Sequence, residues 1–291
     1  QAWGQAHDRL AVVDLTFGSG RCDLAMHRDA HDVDRGLFVC GPNPDGPADD
    51  TVAVVRATGE DGQLVALLVN YACHPTTLAW DNRLISPDYI GAMRELVEGA
   101  TGAPCVFLQG ASGDLGPARG FQGDPEVADS NGRILGHAAL AALEHLPPPS
   151  QQWTYEGPVI SGATIGAWNW SDTAPDRRTQ ASCFASQTVV VPLPYRAPWT
   201  REQISDDLAD GRQRLHEAAA ATDELELRDA RSRVERLQRR LRILESTPSE
   251  GEVDFEIRLW RLGEGVILLM GGEPYQQLQG SLRHRFPNTA L

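Results

Sequence analysis

Residues 63–72, Gln-Leu-Val-Ala-Leu-Leu-Val-Asn-Tyr-Ala, form a nearly unbroken apolar run. A run of this length and character is that of a strand covered on both faces. A Gly59-Glu60-Asp61-Gly62 turn joins it to a second β-rich run, Thr51–Thr58. On the other side, Asp88–Gly99 carries Ile90, Met93, Leu96 and Val97 at helical spacing, and Pro104–Leu108 reads as a short buried strand. Glu126–Leu146 predicts a second helix with Val127, Ile134, Leu135, Ala138 and Leu143 on its inner face, stopped by Pro147-Pro148-Pro149. Strand, helix, strand, helix in this order specifies an α/β fold: a mixed, largely parallel sheet flanked by helices.

Further along, Val159–Trp168 reads as a strand, the stretch around Ser171–Thr179 is polar, and Gln187–Leu193 is again strand-like. From Thr200 to about Glu245 the pattern is a helical pair that breaks near Thr222-Asp223, with Leu225, Leu227, Val234, Leu237, Leu241 and Leu244 on one face of its second arm. An intramolecular hairpin inserted at 200–246 into a single domain over residues 1–291 accounts for it; a partner-binding coiled coil is the other reading. Phe255–Leu262 and Val266–Met270 predict a β-hairpin around Gly263-Glu264-Gly265, and Pro274 opens a last helix through about His284.

Composition removes several function classes. The chain has 291 residues, a net charge of -14, and 26 basic residues that are all arginine and scattered among 40 carboxylates. That balance repels phosphate backbones and excludes nucleic acid as the expected partner. It also opposes general attraction to an anionic membrane, while leaving room for a local patch that docks on lipid. The longest apolar runs, Leu64–Ala72 and Gly265–Met270, are strand-sized, so no transmembrane segment is expected. Five cysteines without C-x-x-C spacing indicate neither a disulfide framework nor a thiolate zinc site. No signal peptide is visible, which favours the cytoplasm over secretion. Nothing in the pattern sets an oligomeric state.

The chemistry gathers at three strand ends, where open α/β sheets present ligands. His74 follows an apolar strand and precedes Pro75; alone it is more readily a structural histidine than a ligand. Gly110-Ala111-Ser112-Gly113-Asp114 follows a second strand, and its glycines allow a tight turn with free N–H groups and an exposed hydroxyl. It lacks the G-x-S-x-G spacing of a nucleophile elbow, and a plain turn with Asp114 as a helix cap is the alternative. Glu273, after Gly271-Gly272 and before Pro274, either caps the following helix or binds a metal. A His, a Glu and a Ser so placed fit zinc hydrolysis.

Four ordered motifs carry a resemblance. Asn-Tyr-Ala-Cys-His-Pro-Thr-Thr at 70–77, Asn-Arg-Leu-Ile-Ser-Pro-Asp-Tyr-Ile-Gly at 82–91, the Gly110–Asp114 turn before Pro117, and Gly272-Glu273-Pro274 are similar to those of the neutral/alkaline non-lysosomal ceramidases. The resemblance implies Zn2+ held by two histidines, a glutamate and a tyrosine, with His74 as the second histidine and Glu273 as the glutamate. It further implies Ser112 as the active-site serine. Arg28, in Met26-His27-Arg28-Asp29, would be the substrate-facing arginine, a surface salt bridge being its other reading. The first histidine's His-x-His motif and the tyrosine have no counterpart in residues 1–291, so the resemblance implies a domain truncated at both ends.

The function so implied is zinc-dependent hydrolysis of an amide (N-acyl) bond in a small-molecule or lipid substrate. A zinc hydrolase of a non-lipid amide or ester, and a catalytically silent scaffold domain, are the alternatives. A lipid substrate requires an apolar groove, for which Trp80, Tyr89, Trp168, Trp170 and Tyr275 are the candidate lining.

Overall fold

The computed structural model describes residues 2–221, 223–247 and 250–290. Two compact units divide the chain, one of Gln1–Gln187 with Leu259–Leu291 and one of Thr188–Arg258. In the first, helix α1 (Ala2–His7) precedes strands β1 (Val13–Arg21), β2 (Ala25–Asp32), β3 (Leu37–Asn43), β4 (Thr51–Gly59) and β5 (Leu64–Tyr71). Helix α2 (Tyr89–Thr101), strands β6 (Cys105–Gln109) and β7 (Leu115–Pro117), and helix α3 (Pro125–Glu144) follow. Next come β8 (Gln151–Ile160), β9 (Thr164–Asp172), helix α4 (Pro175–Ala181) and β10 (Phe184–Arg196), which leads out of the unit.

The α/β class expected from the sequence is the one adopted. Its central sheet is mixed, in the order β1-β4-β5-β6. β4 pairs antiparallel with both β1 and β5, whereas β5 and β6 run parallel. A parallel pair needs a crossover, which α2 supplies. Alternation then sorts the side chains: Val52, Val54, Leu67, Val69 and Tyr71 are buried together with Tyr89, Met93 and Val97 of α2 and Leu135 and Ala139 of α3. The two helices meet closely because residue 132 is glycine; a Cβ there would lie 2.3 Å from the Tyr89 carbonyl oxygen. Asp88 starts α2 by accepting the Tyr89 N–H on Oδ1 and the Leu78 N–H on Oδ2.

A smaller sheet, in the order β3-β2-β7, sets Ala25–His27 antiparallel to Leu115–Pro117 and so brings Arg28 to the turn before β7. The single strand read over Val159–Trp168 is instead a hairpin. β8 ends at Ile160 and β9 begins at Thr164, with Gly162 at φ +71 between them. The small residues Ser161-Gly162-Ala163 are the turn signal that the apolar run masked. The polar stretch around Ser171–Thr179 contains the start of α4, with Pro175 in its first turn.

The second unit holds helices α5 (Arg201–Ala221) and α6 (Glu224–Ser246), followed by β11 (Glu250–Leu262), which leads back to the first. α5 begins with a reciprocal capping box: the Gln203 N–H donates to Thr200 Oγ1 and the Thr200 N–H to Gln203 Oε1. Ile204 and Leu208 pack on Val234 and Leu237, the buried face expected of the helical pair. Of the break read near Thr222-Asp223, Thr222 lies outside the described residues, while Asp223 caps α6 through the Leu225 and Glu226 N–H groups. Back in the first unit, the chain turns at Gly263 (φ +61) into β12 (Gly265–Met270) and ends in helix α7 (Gln276–Arg285).

All five cysteines are free; Cys22, Cys73 and Cys105 are buried. Burial pushes the Cys105 thiol up to about 11 and raises those of Cys22 and Cys73 as well. They behave as small hydrophobes, as their strand contexts suggest.

Candidate active site

The turn after β6 organises the site. Gly110 is forced by close approach, since a Cβ would lie 2.9 Å from the Ala72 backbone, and at Gly113 a Cβ would lie 2.3 Å from the Glu273 carbonyl oxygen. Between and beside these glycines, Ser112, Gly113 and Asp114 hold three distant segments. The Ser112 carbonyl oxygen lies 2.6 Å from His74 Nδ1 and the Leu115 carbonyl oxygen 3.2 Å from it. Both partners are acceptors only, so Nδ1 carries a proton, and in the neutral imidazole Nε2 is then the nitrogen with the free lone pair. The Gly113 carbonyl oxygen accepts from Arg28 Nε at 3.1 Å and Nη2 at 2.8 Å, and the Asp114 carbonyl oxygen accepts the Arg28 N–H at 2.9 Å. The third segment is fixed by the Gly113 N–H donating to the Pro274 carbonyl oxygen (2.8 Å) and the Gln276 N–H donating to Asp114 Oδ1 (2.9 Å).

His74 Nε2 thereby comes within 3.5 Å of Glu273 Oε2, and Arg28 Nη2 lies 3.6 Å from the same oxygen. The side chains of His74 and Arg28 are each 17% exposed, that of Glu273 67%. With so exposed a carboxylate, the charge pair of Arg28 with Glu273 contributes only ~0–1 kcal/mol to stability. The backbone hydrogen bonds, not this attraction, hold the geometry.

Ser112 lies beside these groups and is buried, 2% exposed, where the turn was expected to present an exposed hydroxyl. Its hydroxyl oxygen accepts from Gln109 Nε2 at 2.7 Å, and the same amide donates to the Cys73 carbonyl oxygen at 2.9 Å. With a lone pair so occupied, the hydroxyl keeps its own proton to donate. The free N–H groups expected of this turn are not what the structure shows at three positions. The N–H groups of Gly110, Ala111 and Gly113 go to the Tyr71 carbonyl of β5, Gln279 Oε1 of α7 and the Pro274 carbonyl of the segment before α7.

A cavity of about 600 Å³ adjoins these residues. His74, Ser112 and Glu273 are in its wall, and the rest is largely apolar, including Val55, Leu68, Ile267 and Leu278. These come from the face of β4 and β5 turned away from α2 and α3, and from β12 and α7. The aromatic residues proposed from the sequence do not form it: its aromatic side chains, among the described residues, are Phe17 and Phe107. Tyr89 is instead a core residue whose hydroxyl donates to the Cys73 carbonyl oxygen, while Trp80, Trp168, Trp170 and Tyr275 are exposed.

As a metal centre, the donor chemistry is suitable but small in number. A neutral imidazole with its Nδ1–H on backbone carbonyls is the state in which histidine binds zinc through Nε2. The 3.5 Å between the two donor atoms suits two bonds of ~2.0–2.2 Å to one ion. Among the described residues no group of three or more His, Cys, Asp and Glu side chains is placed to hold an ion. The described residues thus offer two donors at this place, His74 and Glu273, fewer than the three or four protein ligands of a zinc site.

Sequence reading missed Gln109, Gln276 and Gln279. Only the position of Gln109, at the end of β6 and three residues before Ser112, offered a signal.

No family model matches the chain, and no curated protein matches it. Solved structures that the chain resembles at low similarity include a ceramidase complexed with C2, at 14% identity and a TM-score of 0.45, covering 91% of this chain and 42% of that one. Another is the neutral ceramidase from Pseudomonas aeruginosa, at 15% identity and a TM-score of 0.45, covering 91% and 41%. Both are ceramidases. The chain spans about two fifths of their length. A likeness this distant assigns the chain neither a reaction nor a ligand.

Proposed function

We propose that the first unit carries part of the active site of a hydrolase that cleaves an amide (N-acyl) bond, with a ceramide-like lipid as the substrate class. The observation behind this is the meeting of His74 Nε2 and Glu273 Oε2, 3.5 Å apart, in the wall of a largely apolar cavity. The motif resemblance points the same way. His74 and Glu273 would hold zinc, which when bound supplies carbonyl polarisation and a water of lowered pKa.

The chain's own residues have separable tasks in this reading. The Ser112 and Leu115 carbonyl oxygens keep the His74 proton on Nδ1. The Ser112 hydroxyl, its oxygen engaged by Gln109, donates to the acyl oxygen as negative charge develops there. Arg28 is anchored through Nε and Nη2 on the Gly113 carbonyl, and its charge attracts the polar head of the substrate. The apolar wall receives the acyl chain, where each buried CH₂ contributes ~0.8 kcal/mol. In the net reaction the C–N bond breaks, water oxygen goes to the acyl carbon and a proton to the leaving amine.

A series of N-acyl amines of increasing chain length tests this with the zinc-loaded protein. Rising kcat/KM with length is expected. A flat or falling series would transfer the reading to a non-lipid amide or ester, and no hydrolysis of any member would favour a silent scaffold.

A further inference from the structure

The β8–β9 hairpin has a layered surface that the hydrolase reading does not use. Among the described residues its strands pair only with each other. Its base is tied down where Ser150 Oγ donates to Asp14 Oδ2 at 3.0 Å and the Thr173 N–H to the Ser150 carbonyl oxygen at 2.8 Å. The register sets Trp153 opposite Trp170 and Tyr155 opposite Trp168, two positions apart and so on one face. Their ring centroids are 4.8 and 5.3 Å apart, and all four rings are exposed. At this level the other face is polar, with Thr154 and Ser171 sharing a hydrogen bond through their hydroxyls.

Past the bulge between Tyr155 and Gly157 the character changes. Val159 and Ile165 pair on the face that was polar, and Ile160, 78% exposed, lies on the aromatic side. From Gly157 to Trp170 the sequence has no charged residue, in a chain where 23% are charged. The tip is therefore uncharged, with Val159 and Ile165 on one face and Ile160 beside Thr164 on the other, and behind it stands a band of Trp and Tyr.

This order selects among partners. A protein docking on the aromatic face would leave Val159 and Ile165 in water, whereas a lipid surface surrounds the tip on all sides. Trp and Tyr favour the boundary where one end of the ring is apolar and the other wet. The absence of basic residues, with a net charge of -14, matches a zwitterionic surface and not an anionic one. The open strand edges keep unpaired backbone groups, which forbids passage into the hydrocarbon interior and stops the tip near the headgroup boundary.

We infer that the β8–β9 hairpin is a lipid-surface anchor, its Val159–Ile165 tip entering the interface of a zwitterionic bilayer and its four aromatic rings resting at the headgroups. This does not rest on the hydrolase reading. Binding of the whole protein to phosphatidylcholine vesicles tests it, by co-sedimentation and by quenching of tryptophan emission with brominated lipid.

The wild type should bind and be quenched, with little change at high salt, because surface charge is screened there and apolar burial is not. Ile160→Asp and Trp168→Ala should each weaken binding by roughly tenfold, a fraction of the cost of a charge at the bilayer centre for the first. Ile160 is exposed, so its variant should unfold like the wild type, and Trp168→Ala should lose no more stability than its ring pairing with Tyr155 supplies. Leu225→Asp, at an exposed position of α6, should bind like the wild type. The inference is overturned by a wild type that does not bind, by tip variants that bind equally well, or by binding confined to anionic vesicles and abolished by salt. A dimer that Ile160→Asp dissolves, seen by light scattering, would overturn it too and assign the tip to a second copy.

Discussion

Asp114 Oδ1 accepts the backbone N–H of Gln276, 162 positions away, and that one bond joins the turn after β6 to the first residue of α7. Asp114 is 5% exposed, and its other oxygen lies 3.9 Å from His27 Nε2. Replacing it with alanine removes a buried acceptor and a helix cap, a loss of ~1–3 kcal/mol. Asp114→Asn keeps an oxygen at the same place and should lose markedly less. Thermal unfolding of the two variants checks this; equal losses would show that the charge, not the bond, is what matters.

Gly113→Ala should disturb the site more than the fold. The added Cβ would lie 2.3 Å from the Glu273 carbonyl oxygen, so the Glu273 segment must move away from the turn. Zinc affinity should fall by roughly 10-fold or more, in the range seen when groups supporting a ligand are lost. Calorimetric titration with zinc reads this, and an unchanged affinity would show that the segment yields without moving the carboxylate.

Ser112→Ala separates the hydroxyl from the carbonyl of the same residue. The carbonyl that holds His74 Nδ1 survives the change, so zinc content should stay constant while kcat falls ~10²–10³-fold, the cost of one oxyanion donor. A loss of zinc instead would mean that the serine side chain organises the donors.

Much of this was legible in the sequence because it is local. The apolar runs of β4, β5, β6 and β12 and the periodicity of α2, α3, α5 and α6 are set by which residues each element must bury, although Ile134 of α3 and Leu225 of α6, read as inward-facing, are exposed. The closeness of His74 and Glu273 is of another kind, since it depends on backbone bonds from the 112–114 turn. The sequence marked the strand ends but not these bonds. Asp114 shows the difference: the residue reads as a cap, yet the helix it caps is α7 and not a neighbouring one. The strands β1, β2 and β3 carry mixed polar and apolar residues with little alternation, so their pairing is visible only once β4 and β7 are in place. The Val159–Trp168 run misled because its apolar residues masked the Ser161-Gly162-Ala163 turn that divides it into two strands.

Alkaline pH should unfold the protein through groups that must stay neutral in its core. Burial raises the pKa values of Cys105, Cys73, Tyr71 and Tyr89. A folded-state pKa above the unfolded one means that unfolding releases protons at high pH, so this stability is complete below the unfolded value and lost as pH rises. For Cys105 the window runs from 9.0 to about 11. The Tm should be level up to about pH 8.5 and fall steeply beyond it; a Tm independent of pH through 11 would show that these groups ionise in the folded state.

Zinc titration of the wild type, His74→Ala and Glu273→Gln by calorimetry bears most directly on the pairing of His74 with Glu273. One zinc ion per chain is expected for the wild type, held weakly by two donors, with the affinity reduced by ~tenfold or more in each variant. A wild type that takes up no zinc, or variants that bind it as well as the wild type, would contradict the assignment of these two side chains as metal ligands.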